Sequence, residues 1–441
     1  MSSDMACDMR VLIIGAGIGG LTAALSLHKA GFRPVVYEAA TILAPLGVGI
    51  NLLPHATREL TELGLLENLR AIGVEIDELV YLNKWGHRLW HEPRGLAAGY
   101  RWPQIAIHRG ELQMMLARVA RERLGDDAIR MGHALESFES RADGVTANFT
   151  DRVTGSSAGS AQADVIVGAD GIHSVVRRVF YPEEGAPKWR GGLLYRATTP
   201  SPAKLLGGRS MLWAGYASRK FVAYPIRYNP QTGESLINWI CDLNHGPDEI
   251  PAPPREDWSR IGNRTDFLPA FQGWNWPDAN VEAIVNGAGD IYEFPMVDRD
   301  PLPRWTFGRA TLLGDAAHPM YPIGSNGATQ AIIDARVLAL HLASAASIDD
   351  ALGQYEAARR TATARIVEMN RANGPDQVLE LAEERAPNHD DDLEVLLPFA
   401  ERKQIADDYK KVAGFDPAGL NARESFDPPS PRATRWPVNS F

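Results

Sequence analysis

Gly15, Gly17 and Gly20 stand in the spacing G-x-G-x-x-G, directly after the apolar run VLII and directly before a helical pattern that stops at Gly31. Each glycine has its own physical task. Gly15 makes the turn, Gly17 lets a phosphate approach the backbone, and Gly20 lets the helix pack on the strand it follows. Ala16 belongs to the same turn. The free amides and positive dipole end at the helix start favour an anion. A second apolar run, PVVY, ends at Glu38, 18 residues past Gly20, with Ala39 next. A carboxylate there accepts from ribose hydroxyls and repels a 2′-phosphate. Strand, helix, strand and terminal acid spell a βαβ dinucleotide unit, and up to this point NAD and FAD both satisfy it.

A second strand–glycine–acid–helix arrangement comes some three hundred residues later, in LLGDAAHPMYPIGSNG (312–327). A simple NAD site has no use for it, whereas a long cofactor with a polyol arm does. Asp315 is suited to accept from ribityl hydroxyls, and Gly314 keeps the backbone close to that arm. Gly324, Ser325, Asn326, Gly327 and Ala328 offer amides at a helix start. Aimed at the N1/C2=O edge of an isoalloxazine, such amides stabilise the anionic reduced ring. Pro322 stiffens the loop beside the ring. The two motifs together favour FAD.

With GADGIHS (168–174) between GAGIGG (15–20) and GDAAHPMYPIGSNG (314–327), the chain resembles the single-component FAD-dependent aromatic hydroxylases, the class A flavoprotein monooxygenases. The resemblance covers roughly 10–385. Ser325 and Thr329 stand where many members have Gly and Asn. PLGVGIN, EPRG, HRGELQM and FPMVDRDPLP are similar to the 5-methylphenazine-1-carboxylate monooxygenase-like branch. The resemblance implies that Arg109 sits on the ribityl–pyrophosphate region, with Gln113 one turn further along its helix. It implies that Leu135 meets the adenine through its backbone and that Val48 and Gly49 lie near the ring. Asp170 becomes a fold-organising acid near FAD. Arg109 opens a helix and so opposes its dipole, which independently calls for an outside anion.

The implied fold is α/β: a Rossmann-like FAD domain of the glutathione-reductase type, an inserted mixed β-sheet substrate domain, and C-terminal helices. We assign 1–75, 100–185 and 290–385 to the FAD domain and 76–99 with 186–289 to the substrate domain. Residues 386–441 form a tail packed on the body. The implied reaction is NAD(P)H- and O₂-consuming hydroxylation of an aromatic or N-heteroaromatic ring through a flavin C4a-hydroperoxide, with or without loss of a ring substituent such as carboxylate. The resemblance implies NAD(P)H as a transient reductant, and the lack of a second G-x-G-x-x-G fits it. The alternatives are a flavin oxidase or dehydrogenase that inserts no oxygen, and a flavin-binding sensor without turnover. No substrate-activating base is identified. The pocket candidates are Tyr195 and Arg196 on one strand, Tyr224 on another, Trp239, and Pro295 with Met296, beside Pro322. An Arg between LLY and ATT needs a buried anion or a carbonyl.

Among the coarse elements, a helix is expected near 55–70 and paired strands through VEIDELVYLNKWGHRLWHE (74–92). DRVTGSSAGSAQ (151–162) reads as a hairpin loop. Long helices are expected at 327–343 and about 348–385. The 441 residues carry 45 Lys and Arg against 55 Asp and Glu, net −10. That balance argues against nucleic acid or an anionic membrane as the main partner. No apolar stretch approaches the roughly 18 residues of a membrane span. Two distant cysteines, Cys7 and Cys241, suit a reducing, cytoplasmic setting. The expected state is monomer or homodimer. GSSAG (155–159) lies in a Ser/Gly loop and is not a hydrolase elbow. His87 and His91 sit on a strand pattern, so no metal is expected. WNWPDA and Lys84 do not match the halogenase spacing, and His318, before Pro319, reads as structural.

Overall fold

The structure is a computed structural model describing residues 9–45, 47–201, 205–216, 218–246, 260–277 and 279–428. Short Val/Ile/Leu runs build a five-stranded parallel sheet. Its order is Ala310–Leu312, Val165–Gly168, Arg10–Ile14, Arg33–Tyr37, Ile129–Arg130. The central strands are buried on both faces, which is why they are continuously apolar instead of alternating. The register decides where the site lies. Ile14 pairs with Gly168, and Gly168 pairs with Leu312. The three motifs therefore leave the sheet side by side at its carboxyl edge, where open α/β sheets bind ligands. Helices Ile18–Lys29 and Gly327–Ser344, one from each glycine motif, pack on one another.

A seven-stranded mixed sheet follows the order Tyr292–Asp298, Lys188–Ser201, Ser235–Asn244, Arg219–Tyr228, Ser210–Tyr216, Glu78–Leu82, Arg88–Pro93. The strand Tyr292–Asp298, counted above with 290–385, forms its edge. Side-chain alternation divides this sheet into two faces. Tyr195, Phe221, Trp239 and Cys241 bury themselves against Phe267, Phe271 and Trp274. The opposite face carries Leu194, Arg196, Val222, Tyr224, Ile240 and Asp242.

Four local expectations change. The loop expected at 151–162 is mostly a strand, Ser157–Ala163, paired antiparallel with Gly144–Thr150. It is a largely exposed edge of Ser, Gly and Ala, so no hydrophobic alternation announces it. The helix expected near 55–70 is two, Pro54–Glu62 and Leu66–Ile72, parted at Gly64 with φ +75°. The 348–385 helix stops at Arg371, where Asn373 (φ +65°), Gly374 and Pro375 turn the chain before Gln377–Arg385. Of the strands around 74–92, Glu78–Leu82 and Arg88–Pro93 pair with each other, while Gly73–Ile76 joins Gln104–His108 in a separate three-stranded sheet. Helices Phe399–Val412 and Pro417–Ala422 complete the described chain, and none of its helices is long and apolar enough to cross a membrane.

Candidate active site

The first glycine turn is built as its spacing demands. Gly15, at φ +103°, donates its N–H to Tyr37 O at 2.8 Å. A Cβ at Gly15 would lie 2.5 Å from Ala169 O, and one at Gly20 would lie 2.0 Å from Gly15 O. A Cβ at Gly17 would meet nothing within 4 Å. Two of the glycines thus serve the fold, and the third faces open space. The Glu38 carboxylate accepts the Ala16 N–H and the Ala40 N–H, each at 2.8 Å. Ala39, between them, follows the strand end. Gln113 Nε2 donates to Ala16 O at 2.8 Å, which ties helix Arg109–Leu124 to the turn.

A cavity of about 440 Å³ runs from this turn to the seven-stranded sheet. Gly17, Val48, Gly49, Arg109, Gln113, Gly314, Asp315, Pro322, Ser325, Gly327, Ala328, Arg196, Tyr224, Pro295 and Met296 all line it. Arg109 is exposed to the cavity and has no carboxylate partner among the described residues; its backbone N–H donates to Val48 O at 3.0 Å. Asp315 also faces the cavity with protein around it. Burial raises its pKa, and His318 and Arg109 pull it partly back. The other expected residues lie off the wall. Asp170 is turned inward, accepting from Ser174 Oγ at 2.5 Å and Val175 N–H at 2.7 Å at the start of helix Val175–Phe180, while its neighbours Ala169 and Gly171 line the cavity. Leu135 is buried in the core that includes the five-stranded sheet, opposite Phe149 beside a bulge in strand Ala134–Arg141. Tyr195 and Trp239 occupy the far face of the sheet: Tyr195 stacks on Phe267 at 4.4 Å, and Trp239 Nε1 donates to Thr199 Oγ1 at 2.9 Å. Period-2 alternation makes this unavoidable once Leu194, Arg196 and Ile240 face the cavity.

The late motif rests on buried polar bonds. Asp334 Oδ2 pairs with His318 Nε2 at 2.6 Å and accepts the Gly314 N–H at 3.0 Å, while Arg359 Nε donates to its Oδ1 at 2.7 Å. Burial alone would raise the Asp334 pKa, but His318 and Arg359 outweigh it and hold it at about 2. His318 is thus part of this buried network and does not line the cavity. Gly324 (φ +68°) and Ser325 (φ +58°) form a left-handed bend. Asn326 is buried, with Nδ2 donating to Gly324 O at 3.1 Å.

The sheet face supplies the other wall. Across the strands, Phe294, Leu194, Asp242 and Lys220 stand in one row, and Arg196, Ile240, Val222 and Trp213 in the next. Successive rows lie about 7 Å apart along a strand. The middle of the floor is thus apolar, with a polar group at each end. At one end Arg196 donates to Gly49 O at 2.8 Å, lies 5.5 Å from the Phe294 ring, and has an Nε without a partner. Tyr224 Oη donates to the same carbonyl at 2.9 Å, and burial, against the pull of Arg196, lifts its pKa to about 12. At the other end Lys220 bridges Asp242, at 3.2 Å, and Asp376. Burial opposes the Lys220 charge, but Asp376 and Asp242 hold its pKa above the usual value. Sequence reasoning missed Lys220, Asp242, Asp376 and Trp213. The signal was present for Lys220, a cation in an apolar strand like Arg196.

The residues fit FAD. The open approach at Gly17 is a cradle that a Cβ would fill, and Arg109 is a cation lacking an anion among the described residues. Arg109, Asp315 and the start of helix Gly327–Ser344 share one elongated cavity. These features define an FAD-dependent enzyme with an apolar chamber against the cofactor site. A family described as an FAD binding domain matches residues 8–203 and 290–370. The phenazine 1,6-dicarboxylic acid hydroxylase PhzS of Lysobacter antibioticus is 47% identical over 371 residues, covering 82% of this chain and 89% of the relative. The 3-hydroxybenzoate 6-hydroxylase 1 of Aquipseudomonas alcaligenes is 33% identical, covering 81% and 86%. In fold, Klebsiella pneumoniae HpxO complexed with FAD and uric acid is similar, with a TM-score of 0.67 at 24% identity over 92% of each chain. The chain belongs to this FAD-binding family and, with it, to the FAD-dependent aromatic monooxygenases.

Proposed function

We propose that the chain hydroxylates a planar N-heteroaromatic carboxylic acid of the phenazine class, with NAD(P)H as transient reductant and O₂ as oxidant. The observation that carries this reading is the apolar floor of Leu194, Ile240, Val222 and Phe294 in the same cavity as the FAD-type glycine turns. The relative at 47% identity, whose name gives a phenazine dicarboxylic acid as substrate, supports the ring class. The chemistry supplied by bound FAD is the reductive activation of O₂. Gly17, Glu38, Arg109 and Gln113 hold its dinucleotide half on the turn that Gly15, Ala16, Gly20 and Ala39 shape, and Leu135 meets the adenine through its backbone. Gly314 and Asp315 hold the ribityl arm, with Asp170 supporting the fold beside them. Val48, Gly49 and the loop Gly324, Ser325, Asn326, Gly327 and Ala328 border the ring.

On this reading the apolar floor, Met296, Pro295 and Pro322 exclude water, which would otherwise divert the oxidant to peroxide. Arg196 orients the ring through a carboxylate, since no protein carboxylate satisfies it among the described residues. Tyr224 keeps Gly49 in place by donating to its carbonyl, and a phenol of such high pKa stays neutral. We read 1–75, 100–185 and 290–385 as the FAD domain, 76–99 and 186–289 as the substrate domain, and 386–441 as a tail on the body. The protein acts in the cytoplasm as a monomer or homodimer, on small molecules and not on nucleic acid. The test is NAD(P)H consumption by the FAD-loaded protein against a panel of phenazine carboxylates, benzoates and phenols, with product mass under ¹⁸O₂. A gain of one labelled oxygen on a phenazine acid is expected, with or without loss of CO₂. Peroxide in proportion to NAD(P)H with no product defeats the proposal in favour of an oxidase. Negligible consumption with every ligand defeats it in favour of a sensor.

A further inference from the structure

Among the described residues only two that are not glycine adopt positive φ, Ser325 at +58° and Asn373 at +65°. Each has a glycine neighbour, Gly324 and Gly374, that closely approaches one side chain, Tyr409, on helix Phe399–Val412. Tyr409 is buried, and its Oη accepts from Asn326 Nδ2 at 2.9 Å and donates to Asn370 Oδ1 at 2.9 Å. Its ring fills the hollow behind the loop. A Cβ at Gly324 would lie 2.0 Å from Oη, and one at Gly374 would lie 3.0 Å from Cε2. Asn326, which Tyr409 holds, precedes helix Gly327–Ser344, and that helix begins at the cavity with Gly327 and Ala328. This helix of Tyr409 lies outside the two segments that match the family, which end at 370.

We propose that Tyr409 is a positioning residue for the reaction: from behind the cavity wall it holds the Gly324–Ser325 bend left-handed through Asn326, and so aims the amides of 325–328 at the flavin. Left-handed backbone at a residue with a side chain persists only where its surroundings over-determine it. Gly324 leaves room for the phenol, and the phenol fixes the polar face of Asn326. The proposal rests on the reading that this loop borders the isoalloxazine.

The test is Tyr409→Phe in the full chain, which keeps the ring and removes one donor and one acceptor. Three quantities are measured: amide hydrogen exchange of 324–328 in apoprotein and FAD-loaded enzyme, FAD affinity with the flavin absorption spectrum, and peroxide released per NAD(P)H. Loss of a buried hydrogen bond predicts exchange about twofold to tenfold faster in the apoprotein. A similar loss of FAD affinity, a shifted flavin spectrum and more peroxide accompany it, with KM for the aromatic unchanged. Exchange within experimental error of wild type overturns the proposal and leaves the reading of the loop standing. Faster exchange with unaltered flavin spectrum and affinity overturns it differently, by showing that the loop does not border the ring. If Tyr409→Phe does not fold, Asn370→Ala removes the acceptor of the same hydroxyl and is read by the same measurements.

Discussion

Alanine at two glycines three positions apart in the same motif separates binding from folding. Gly17 sits at φ −70°, ψ 177°, a conformation alanine adopts freely, and its new methyl would meet nothing within 4 Å. Gly17→Ala should leave the apoprotein within about 0.5 kcal/mol of wild type, or up to ~1 kcal/mol more stable because the unfolded chain loses freedom. The methyl would occupy the approach to the helix-start amides. Hydrogen bonds from such amides to a charged group are each worth roughly 1.5–3 kcal/mol, so FAD should bind about tenfold to a hundredfold more weakly. Gly20→Ala does the reverse. Its methyl would be 2.0 Å from the Gly15 carbonyl oxygen, so helix and turn must separate. Overpacking of this kind costs about 1–3 kcal/mol and appears already in the apoprotein. Fluorescence titration with FAD and thermal melts with and without FAD distinguish the two, because ligand stabilisation follows RT ln(1 + [L]/Kd). Wild-type FAD affinity in Gly17→Ala, or an apoprotein melting as early as Gly20→Ala, refutes the reasoning.

Asp315→Ala should weaken FAD binding about tenfold or more by deleting a charged acceptor, with little change in the apoprotein melt; equal affinity by titration refutes the ribityl assignment. Arg196→Met should raise KM for carboxylated rings about tenfold or more while rings lacking a carboxylate change little, read from steady-state kinetics on matched pairs. Lys220→Met strands the carboxylates of Asp242 and Asp376 in a buried site and should cost roughly 3–5 kcal/mol in urea unfolding; adding Asp242→Asn should recover part of it. Asp334 is held at about 2 against an ordinary 3.8. Its contribution, about 2 kcal/mol, is complete above pH 3.8 and lost as pH falls through 2, so Asp334→Asn should flatten the acid limb of a stability–pH curve.

Both glycine motifs were legible because their constraints are local: a turn, a close approach and a helix start within a dozen residues. Arg196 was legible as a cation in an apolar strand. Which of Tyr195 and Arg196 faces the cavity was not, because alternation permits only one and the face is chosen by packing against Phe267, 72 residues further along the chain. The Lys220–Asp376 pair spans 156 residues and leaves no periodic trace. The break after Arg371 was readable in Asn373, Gly374 and Pro375. The strand Ser157–Ala163 was not, since an exposed edge needs no hydrophobic pattern to be held by backbone bonds alone.

The late motif looks like two features in sequence, an acid turn and a glycine loop, yet the structure makes them one part. Asp334 holds both Gly314 and His318, and Arg359 joins Asp334 to Gln330, whose Nε2 donates to Asn326 Oδ1 at 3.1 Å. Asp334 and Gln330 are four residues apart on helix Gly327–Ser344, so they project from neighbouring positions on one face. Every bond in this chain is buried, and breaking any one strands a polar group without water. The Asp315 turn and the bend at Gly324 therefore cannot shift independently. A long ligand touching both meets a wall of fixed length, which is what holding a polyol arm and a ring in one orientation requires.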